Sequence, residues 1–292
     1  MSILSAREMQ TPIEPRRARR ASPAEPLARG AAVFADASRR IEVAVASSCG
    51  RDHAVNEDAH SGLAGSGRLF VVADGVGGGA MAQVASRMLV GELHAALAAG
   101  EPDGARIDRA ILSADRAIAA AIARVTDRPG AATVVLAAAI GRSAAEWIVA
   151  WVGDCRAYRW TAGAAERIVP LTLDDTFRNL GEAPPAGGSP DDPARMVGNG
   201  ATMGAHSALQ TLAAGELLAL CSDGVHKHVA VADFDRVLAQ RVALAARAEQ
   251  LVALARSQGS ADDATVLLVE RGEPGVIEAG GVPAGVTPGS RP

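Results

Sequence analysis

The chain has 292 residues, with 29 Lys and Arg against 33 Asp and Glu, so its formal charge is −4 and its pI is about 5.9. This mild acidity argues against a strongly basic nucleic-acid binder. Apolar residues make up 49% and charged residues 21%, which is typical of a folded protein and not of a chain that is disordered throughout.

The two ends of the chain differ in composition from the middle. Residues 1–40 hold eight Arg, four acidic residues and several Pro, and we expect a disordered basic arm there. Residues 271–292 are rich in Gly and Pro, which favours a disordered tail. The folded domain is therefore predicted to cover residues 41–270.

Hydrophobic periodicity predicts both strands and helices within that domain. The predicted elements, in chain order, are strands at 41–46 and 69–73, helices at 82–98 and 107–125, strands at 133–140, 146–152, 156–160, 167–171 and 217–220, a helix at 244–256 and a strand at 265–269. The links between the four middle strands are too short for helical crossovers, so we expect antiparallel neighbours. Strands in blocks and helices in pairs favour an α+β fold.

Cysteine usage and hydropathy bear on the compartment. Cys49, Cys155 and Cys221 are odd in number and far apart, which argues against a disulfide scaffold and against a C-x-x-C zinc site. The apolar stretch at 131–152 is interrupted by polar residues and is more typical of two strands than of a membrane span. Without a signal-peptide pattern either, we expect a cytoplasmic protein, and a monomer.

Four short acidic segments stand at the ends of predicted strands. They are Asn56-Glu57-Asp58, Asp74-Gly75, Ser222-Asp223-Gly224 and Asp262-Asp263. Carboxylates gathered without matching Lys or Arg repel one another unless a cation neutralises them, and divalent ions prefer oxygen ligands. A metal site is one interpretation of this pattern. Each segment alone is equally typical of a turn or of a solvated strand end.

Taken in order, these segments and their surroundings resemble the metal-dependent protein phosphatases of the phosphatase 2C type (PPM). The resemblance rests on the blocks GRDHAVNEDAH, LFVVADGVGGG, GAATVVLAA, WVGDCRAY, LTLDDTF, LCSDGV and SADDATVLLV, which run through residues 41–270. It implies a four-layer α-β-β-α sandwich, in which two antiparallel sheets flanked by helices enclose a metal cleft.

The resemblance also implies a set of site residues. Asp74 matches the ligand that bridges two ions, Mn²⁺ or Mg²⁺, and Asp58 matches an acid that holds water beside them. The implied metal ligands are Glu57, Asp74, the carbonyl of Gly75, Asp223 and Asp262, with Asp154 for a third ion in some bacterial members. Two ions in such a centre activate a water and hold phosphate oxygens for in-line attack, without a covalent enzyme intermediate.

This chain departs from the family pattern at the phosphate-binding position. The family usually has an Arg three residues before the Asn of the N-E-D block, where His53 stands here. An imidazole replaces a bidentate guanidinium poorly. If the segment were an extended strand, Arg51 would share a face with His53. We therefore expect His53 or Arg51 to bind the substrate phosphate.

Further departures surround the expected metal site. Asp263 stands where the family usually has Asn, and its charge would either strengthen metal binding or repel substrate. Lys227, the single lysine of the chain, follows Asp223 by four residues and stands where some members have another acid for a third ion, which weakens the case for that ion but leaves it open. The segment at 172–204 corresponds to the family's variable flap, which we expect to select substrates.

The resemblance implies a hydrolase that removes phosphate from phosphoserine and phosphothreonine in proteins, opposing a bacterial serine/threonine kinase. The alternative is a phosphoprotein-binding regulatory module of the same fold with little turnover, which the departures at His53 and Asp263 suggest. Under either hypothesis, we expect no nucleic-acid partner and no membrane-spanning segment.

Overall fold

A computed structural model describes residues 27–64, 67–77, 80–127, 130–200 and 202–274. The strands in these ranges are β1 (Ala28–Asp36), β2 (Arg39–Ser48), β3 (Ala59–His60), β4 (Leu69–Val76), β5 (Ala131–Ile140), β6 (Glu146–Val152), β7 (Arg156–Trp160), β8 (Ile168–Pro170), β9 (His206–Thr211), β10 (Leu217–Cys221) and β11 (Ala264–Gly272). The helices are α1 (Ala80–Leu97), α2 (Gly104–Ala123), α3 (Phe177–Leu180), α4 (Asp223–His226), α5 (Val231–Leu238) and α6 (Leu244–Ser257).

The strands form two sheets in which the neighbours are antiparallel. One sheet has the order β1-β2-β11-β10-β7-β8, and the other has the order β3-β4-β5-β6-β9. Side chains such as Ile41, Phe70, Trp147 and Leu218 fill the layer between the sheets. Helices α1 and α2 cover the five-stranded sheet, and α5 and α6 cover the six-stranded one. The predicted α-β-β-α sandwich is therefore confirmed.

Strand β5 shows why the most apolar stretch of the sequence is a strand. Val135 and Ala137 face the layer between the sheets, whereas Val134 and Leu136 face α1 and α2. A strand covered on both faces has a nearly continuous apolar sequence instead of an alternating one. Within the described ranges, no helix combines the length and the apolarity that a bilayer crossing requires.

The predicted boundary of the basic arm is wrong. Residues 28–36 form β1, which pairs with β2 from Ala28 opposite Ser47 to Asp36 opposite Arg39. The Asp36 carboxylate accepts a hydrogen bond from the backbone N–H of Ser38, at 2.8 Å, and closes the turn between the two strands. The Ala, Gly and Arg of this edge strand have little strand propensity, so composition misled the prediction. Residues 1–26 lie outside the described ranges.

The predicted start of the tail at residue 271 is also slightly early, because β11 continues to Gly272. The rest of the predicted tail, from residue 275, lies outside the described ranges. The predicted strands and helices are all present, with ends shifted by a few residues. The prediction missed β1, β9 and α5, and it also missed β3, α3 and α4, which at two to four residues are too short to show a period.

Candidate metal centre

The pairing of the strands brings the acidic segments to one end of the sandwich. Asp58 directly precedes β3, and β3 pairs with β4 so that Ala59 lies opposite Ala73, the neighbour of Asp74. Asp223 follows β10, while Asp262 precedes β11. Because β10 and β11 are antiparallel, the end of one strand lies beside the start of the other. The acidic segments therefore converge from both sheets.

Two glycines allow this close approach. A Cβ on Gly75 would lie 2.5 Å from the carbonyl oxygen of Ala82 and 2.8 Å from that of Glu57. A Cβ on Gly224 would lie 1.9 Å from the carbonyl oxygen of Asp263. Any side chain at either position would force these segments apart, which explains why both acidic turns have the sequence Asp-Gly.

The carboxyl groups at the centre of the cluster destabilise one another when they are ionised. Burial, together with the charges of Asp263 and Asp223, raises the pKa of Asp58 to about 8. Burial and the charges of Asp223, Asp58 and Asp154 hold the pKa of Asp74 well above its ordinary value. Concentrated negative charge of this kind favours binding of a cation.

Two buried carboxylate oxygens in the cluster have no hydrogen-bond partner. Ser222 Oγ donates to Asp58 Oδ2 at 2.8 Å, but Asp58 Oδ1 has no partner. Asp223 Oδ1 is likewise without one. An unsatisfied buried acceptor costs about 1–3 kcal/mol. Oxygen-only donors of this type suit Mg²⁺ and Mn²⁺, so the residues present fit the metal centre that the sequence predicts.

Asp154 lies at the inner end of the cluster and is paired with a lysine. Lys227 Nζ lies 2.9 Å from Asp154 Oδ2 and 2.7 Å from Asp223 Oδ2. Burial raises the pKa of Asp154 to about 6, and Asp223 adds to this effect while Lys227 opposes it. Burial would also raise the pKa of Asp223, but the Lys227 ammonium outweighs it and lowers that pKa.

Asp263 has a role that the sequence did not reveal. Its Oδ1 accepts a hydrogen bond from the backbone N–H of Gly50 at 2.6 Å, and its Oδ2 accepts one from that of Glu57 at 2.7 Å. Oδ2 also lies 2.8 Å from His53 Nδ1. The carboxylate therefore holds both the loop that carries Glu57 and the imidazole of His53. It does not present a free charge to the cleft.

His53 lies beside the expected ligand Asp262. His53 Nε2 is 3.7 Å from Asp262 Oδ1, and burial raises the pKa of Asp262. Burial alone would lower the pKa of His53, but Asp263 outweighs it and raises that pKa. Among the described residues, these three form the one group whose potential ligand atoms all lie within 4.8 Å of one another. Of the predicted metal ligands, this group contains only Asp262.

The premise that placed Arg51 beside His53 is wrong. Residues 51 and 52 form a turn, not a strand. Arg51 is exposed, and its guanidinium donates to the carbonyl of Gly259 at 3.4 Å. Of these two side chains, His53 is the one that contacts the acidic cluster, through Asp263.

Arg256 on α6 is a site residue that sequence reasoning missed. Its guanidinium donates to the carbonyl of Ser48 at 2.6 Å, to that of Ser260 at 3.2 Å and to that of Asp262. It therefore ties the end of β2 to the segment that carries Asp262. No motif marks this arginine, because its partners are backbone atoms that only the fold brings near.

The base of the flap at 172–204 is fixed next to Asp154. Arg156 makes a two-pronged ion pair with Asp174, with N–O distances of 2.8 and 2.7 Å. Asp175 Oδ2 accepts a hydrogen bond from the backbone N–H of Gly153 at 3.0 Å. The start of the flap is therefore held by the residues on either side of Asp154.

Comparison with known proteins agrees with this geometry. The protein phosphatase 2C family model matches residues 46–257. The serine/threonine protein phosphatase PstP of Mycobacterium tuberculosis is 31% identical over 242 residues, which cover 79% of this chain and 45% of PstP. The chain thus corresponds to about half the length of this curated relative.

Two solved structures are similar in fold. The catalytic domain of PstP in complex with two manganese ions has a TM-score of 0.65 and 28% identity, covering 80% of this chain and 99% of that one. PppA, described as a key regulatory component of the type VI secretion system in Pseudomonas aeruginosa, has a TM-score of 0.67 and 27% identity, covering 79% and 97%. From the family match, the fold and the acidic cluster, the chain belongs to the protein phosphatase 2C family.

Proposed function

We propose that the chain hydrolyses phosphoserine and phosphothreonine in proteins, using two divalent cations, Mn²⁺ or Mg²⁺, held by its acidic cluster. The observation that carries this proposal is the set of crowded carboxyl groups with raised pKa values and unpartnered oxygens at Asp58 and Asp223. The relatives support it, since they are named serine/threonine phosphatases and one structure contains two manganese ions.

The ligands divide between the two ion positions. Asp74 would serve both, Glu57 and the carbonyl of Gly75 would serve one, and Asp223 and Asp262 would serve the other. When bound, the ions activate a water and hold phosphate oxygens for in-line attack. Asp58 is anchored by Ser222 through one oxygen, so its free Oδ1 is available to accept a hydrogen bond from the attacking water and orient it.

His53 is proposed as the phosphate-binding residue. In a protonated imidazole, Nδ1–H would donate a hydrogen bond to Asp263, and Nε2–H would remain as a second donor with one positive charge on the ring. Asp263 is then a positioning residue, because it acts on the phosphate only through His53. Arg51, directed at the carbonyl of Gly259, would have to leave that contact to take the same role.

In the cell, we propose that the chain acts in the cytoplasm of a bacterium as a monomer, in signalling that opposes a serine/threonine kinase. Its named relatives, PstP and the Listeria innocua phosphatase stp, are bacterial. The flap at 172–204 would select among phosphoprotein substrates, because it is fixed beside the cluster at Asp174 and Asp175.

The test is hydrolysis of a phosphothreonine peptide by the purified chain in EDTA, Mg²⁺ or Mn²⁺. We expect turnover that requires the metal and that Asp74→Asn and Asp223→Asn abolish. Asp52→Asn, which changes an exposed aspartate near the cleft, is the matched control and should keep its activity. Binding of phosphopeptides without turnover in any metal would contradict the proposal and favour the regulatory module.

A further inference from the structure

The ammonium of Lys227 lies between two carboxylates of the cluster. Its Nζ is 2.9 Å from Asp154 Oδ2 and 2.7 Å from Asp223 Oδ2. The Asp154 side chain is 2% exposed, that of Asp223 is 16% exposed and that of Lys227 is 38% exposed, so the carboxylates are shielded from water while the lysine reaches them from the surface. Charge-assisted hydrogen bonds of this length are stronger than hydrogen bonds between neutral groups.

The local fold directs this lysine into the cluster. Asp223 opens α4 and Lys227 ends it, and their i, i+4 spacing places the two side chains on one face. The Lys227 backbone N–H donates to the carbonyl of Asp223 at 3.0 Å. His226 Nε2 lies 2.8 Å from the carbonyl oxygen of Asp154 and fastens that segment to the same turn.

An ammonium and a divalent ion cannot share this position. A Mg²⁺ or Ca²⁺ ion between the same two oxygens would lie about 2.0–2.6 Å from each of them. The nitrogen already fills that space and carries a positive charge. An incoming ion would therefore overlap with it sterically and be repelled by its charge. The ammonium is covalently attached to the chain, so it remains at this position whatever the concentration of metal ions in solution.

We propose that Lys227 is a built-in cation that closes the position between Asp154 and Asp223, so that the chain binds two divalent ions and not three. This inference rests on the proposed metal centre and replaces the third ion that the resemblance implies for Asp154. It makes Asp154 a partner of the lysine. The two remaining ions are left to the other predicted ligands, which are Glu57, Asp74, the carbonyl of Gly75, Asp223 and Asp262.

The test is the number of Mn²⁺ ions bound per chain, measured by titration calorimetry and by the paramagnetic resonance of free Mn²⁺. We expect two ions for the native chain and for Lys227→Arg, which keeps the charge. Lys227→Met, which has an unbranched, uncharged side chain, should bind a third, weaker ion. Lys227→Met combined with Asp154→Asn should lose that third ion again.

A second measurement needs no variant, because Lys227 is the single lysine of the chain. Protein labelled with ¹³C-lysine gives one set of lysine side-chain resonances, which we expect to stop shifting after two equivalents of Mg²⁺. A further shift at a third equivalent would show that metal displaces the ammonium, and it would overturn the proposal.

The outcomes separate this inference from the proposed function. Three ions on the native chain, or two on both the native chain and Lys227→Met, would overturn the role of Lys227 and leave the metal centre intact. No bound metal on any of the proteins would refute the metal centre, and the inference would fall with it.

Discussion

The two ends of the acidic cluster neutralise their charge in different ways. At the inner end, Asp154 is buried and paired with the permanent charge of Lys227. At the outer end, the Asp262 side chain is 45% exposed and lies beside His53, whose charge depends on pH. The charge at the inner end is thus neutralised by the chain itself, through a lysine that is 38% exposed, whereas the exposed carboxylate at the outer end has only the pH-dependent charge of His53 beside it.

Under the proposed function, this difference indicates the side from which a phosphoprotein would approach. A phosphate monoester carries negative charge and is attracted to a positively charged side chain. The side chain binds it most readily when it does not first have to break ion pairs with other residues. Lys227 contacts two carboxylates at 2.9 and 2.7 Å, while His53 has Nδ1 held by Asp263 at 2.8 Å and Nε2 at the longer distance of 3.7 Å from the exposed Asp262. The outer end is therefore the side from which we expect phosphoproteins to bind.

We expect the greatest loss of activity from a change at Asp74, whose carboxyl group has Asp58, Asp154 and Asp223 as charged neighbours. We expect Asp74→Asn to lower kcat/KM by about 10³-fold or more, the scale seen when a main electrostatic group is removed from an active site. The same change should raise the melting temperature in EDTA, because it removes a repelling carboxylate. A lower melting temperature together with lower activity would mean that Asp74 stabilises the fold. That result would contradict the repulsion that we infer for this carboxyl group.

The next effect is on stability as a function of pH in EDTA. The pKa of Asp58 is raised to about 8 and that of Asp154 to about 6, so both acids bind protons more tightly in the folded state than in the unfolded state. Their contribution is fully present below the unfolded pKa, near 4, and is lost as the pH rises through 6 to 8. We expect thermal unfolding to show a loss of stability on the order of a few kcal/mol between pH 5 and pH 8.5.

The pH effect has a matched control in the same experiment. Asp58→Asn should flatten the profile, because the acid with the higher of these two pKa values is gone. Saturating Mg²⁺ should flatten it as well, by neutralising the cluster. A slope that neither treatment changes would mean that other groups cause the pH dependence.

A smaller effect is expected at the outer end. We predict that His53→Ala raises KM for a phosphothreonine peptide about 10-fold and changes kcat less than about 3-fold, since it removes a phosphate contact and no metal ligand. In a double-mutant cycle with Asp263→Asn, the effects on KM should be less than additive, because Asp263 reaches the phosphate through His53. The hydrogen bonds that Asp263 accepts from the backbone N–H groups of Gly50 and Glu57 act separately, on the metal ligand. Additive effects would show that the two residues act independently.

The smallest effect is expected for Arg51→Ala, which should change kcat/KM by less than about 2-fold. The Arg51 side chain is exposed and contacts a backbone carbonyl outside the cluster. Steady-state kinetics on the same peptide measure this directly. A loss as large as that of His53→Ala would make Arg51 the phosphate ligand and reverse the assignment at the outer end.

Local patterns predicted most of the fold because each main element has its own signature. Strand β5 is apolar along its length since both of its faces are covered, and α2 repeats apolar residues with a helical period. Strand β1 was missed because its partner, β2, stabilises a segment whose own residues do not favour a strand. Pairing of this kind is a property of the fold and is not written in the segment itself.

The site was predicted less completely than the fold. The acidic ligands could be found from ordered blocks, but the contacts between them depend on residues far apart in sequence. His53 and Asp263 are 210 positions apart, and Asp154 and Lys227 are 73 apart. His53, Asp263 and Lys227 were noted as separate departures from the family pattern and Asp154 as a ligand for a third ion. Only the fold shows that the four residues form two pairs.

Anomalous X-ray scattering from a crystal of the chain grown with Mn²⁺ would locate the bound ions and identify their ligands. We predict two manganese peaks, both contacting Asp74, with Glu57 beside one and Asp223 and Asp262 beside the other. The lysine nitrogen should remain between Asp154 and Asp223. The absence of manganese at Asp74 would contradict the account.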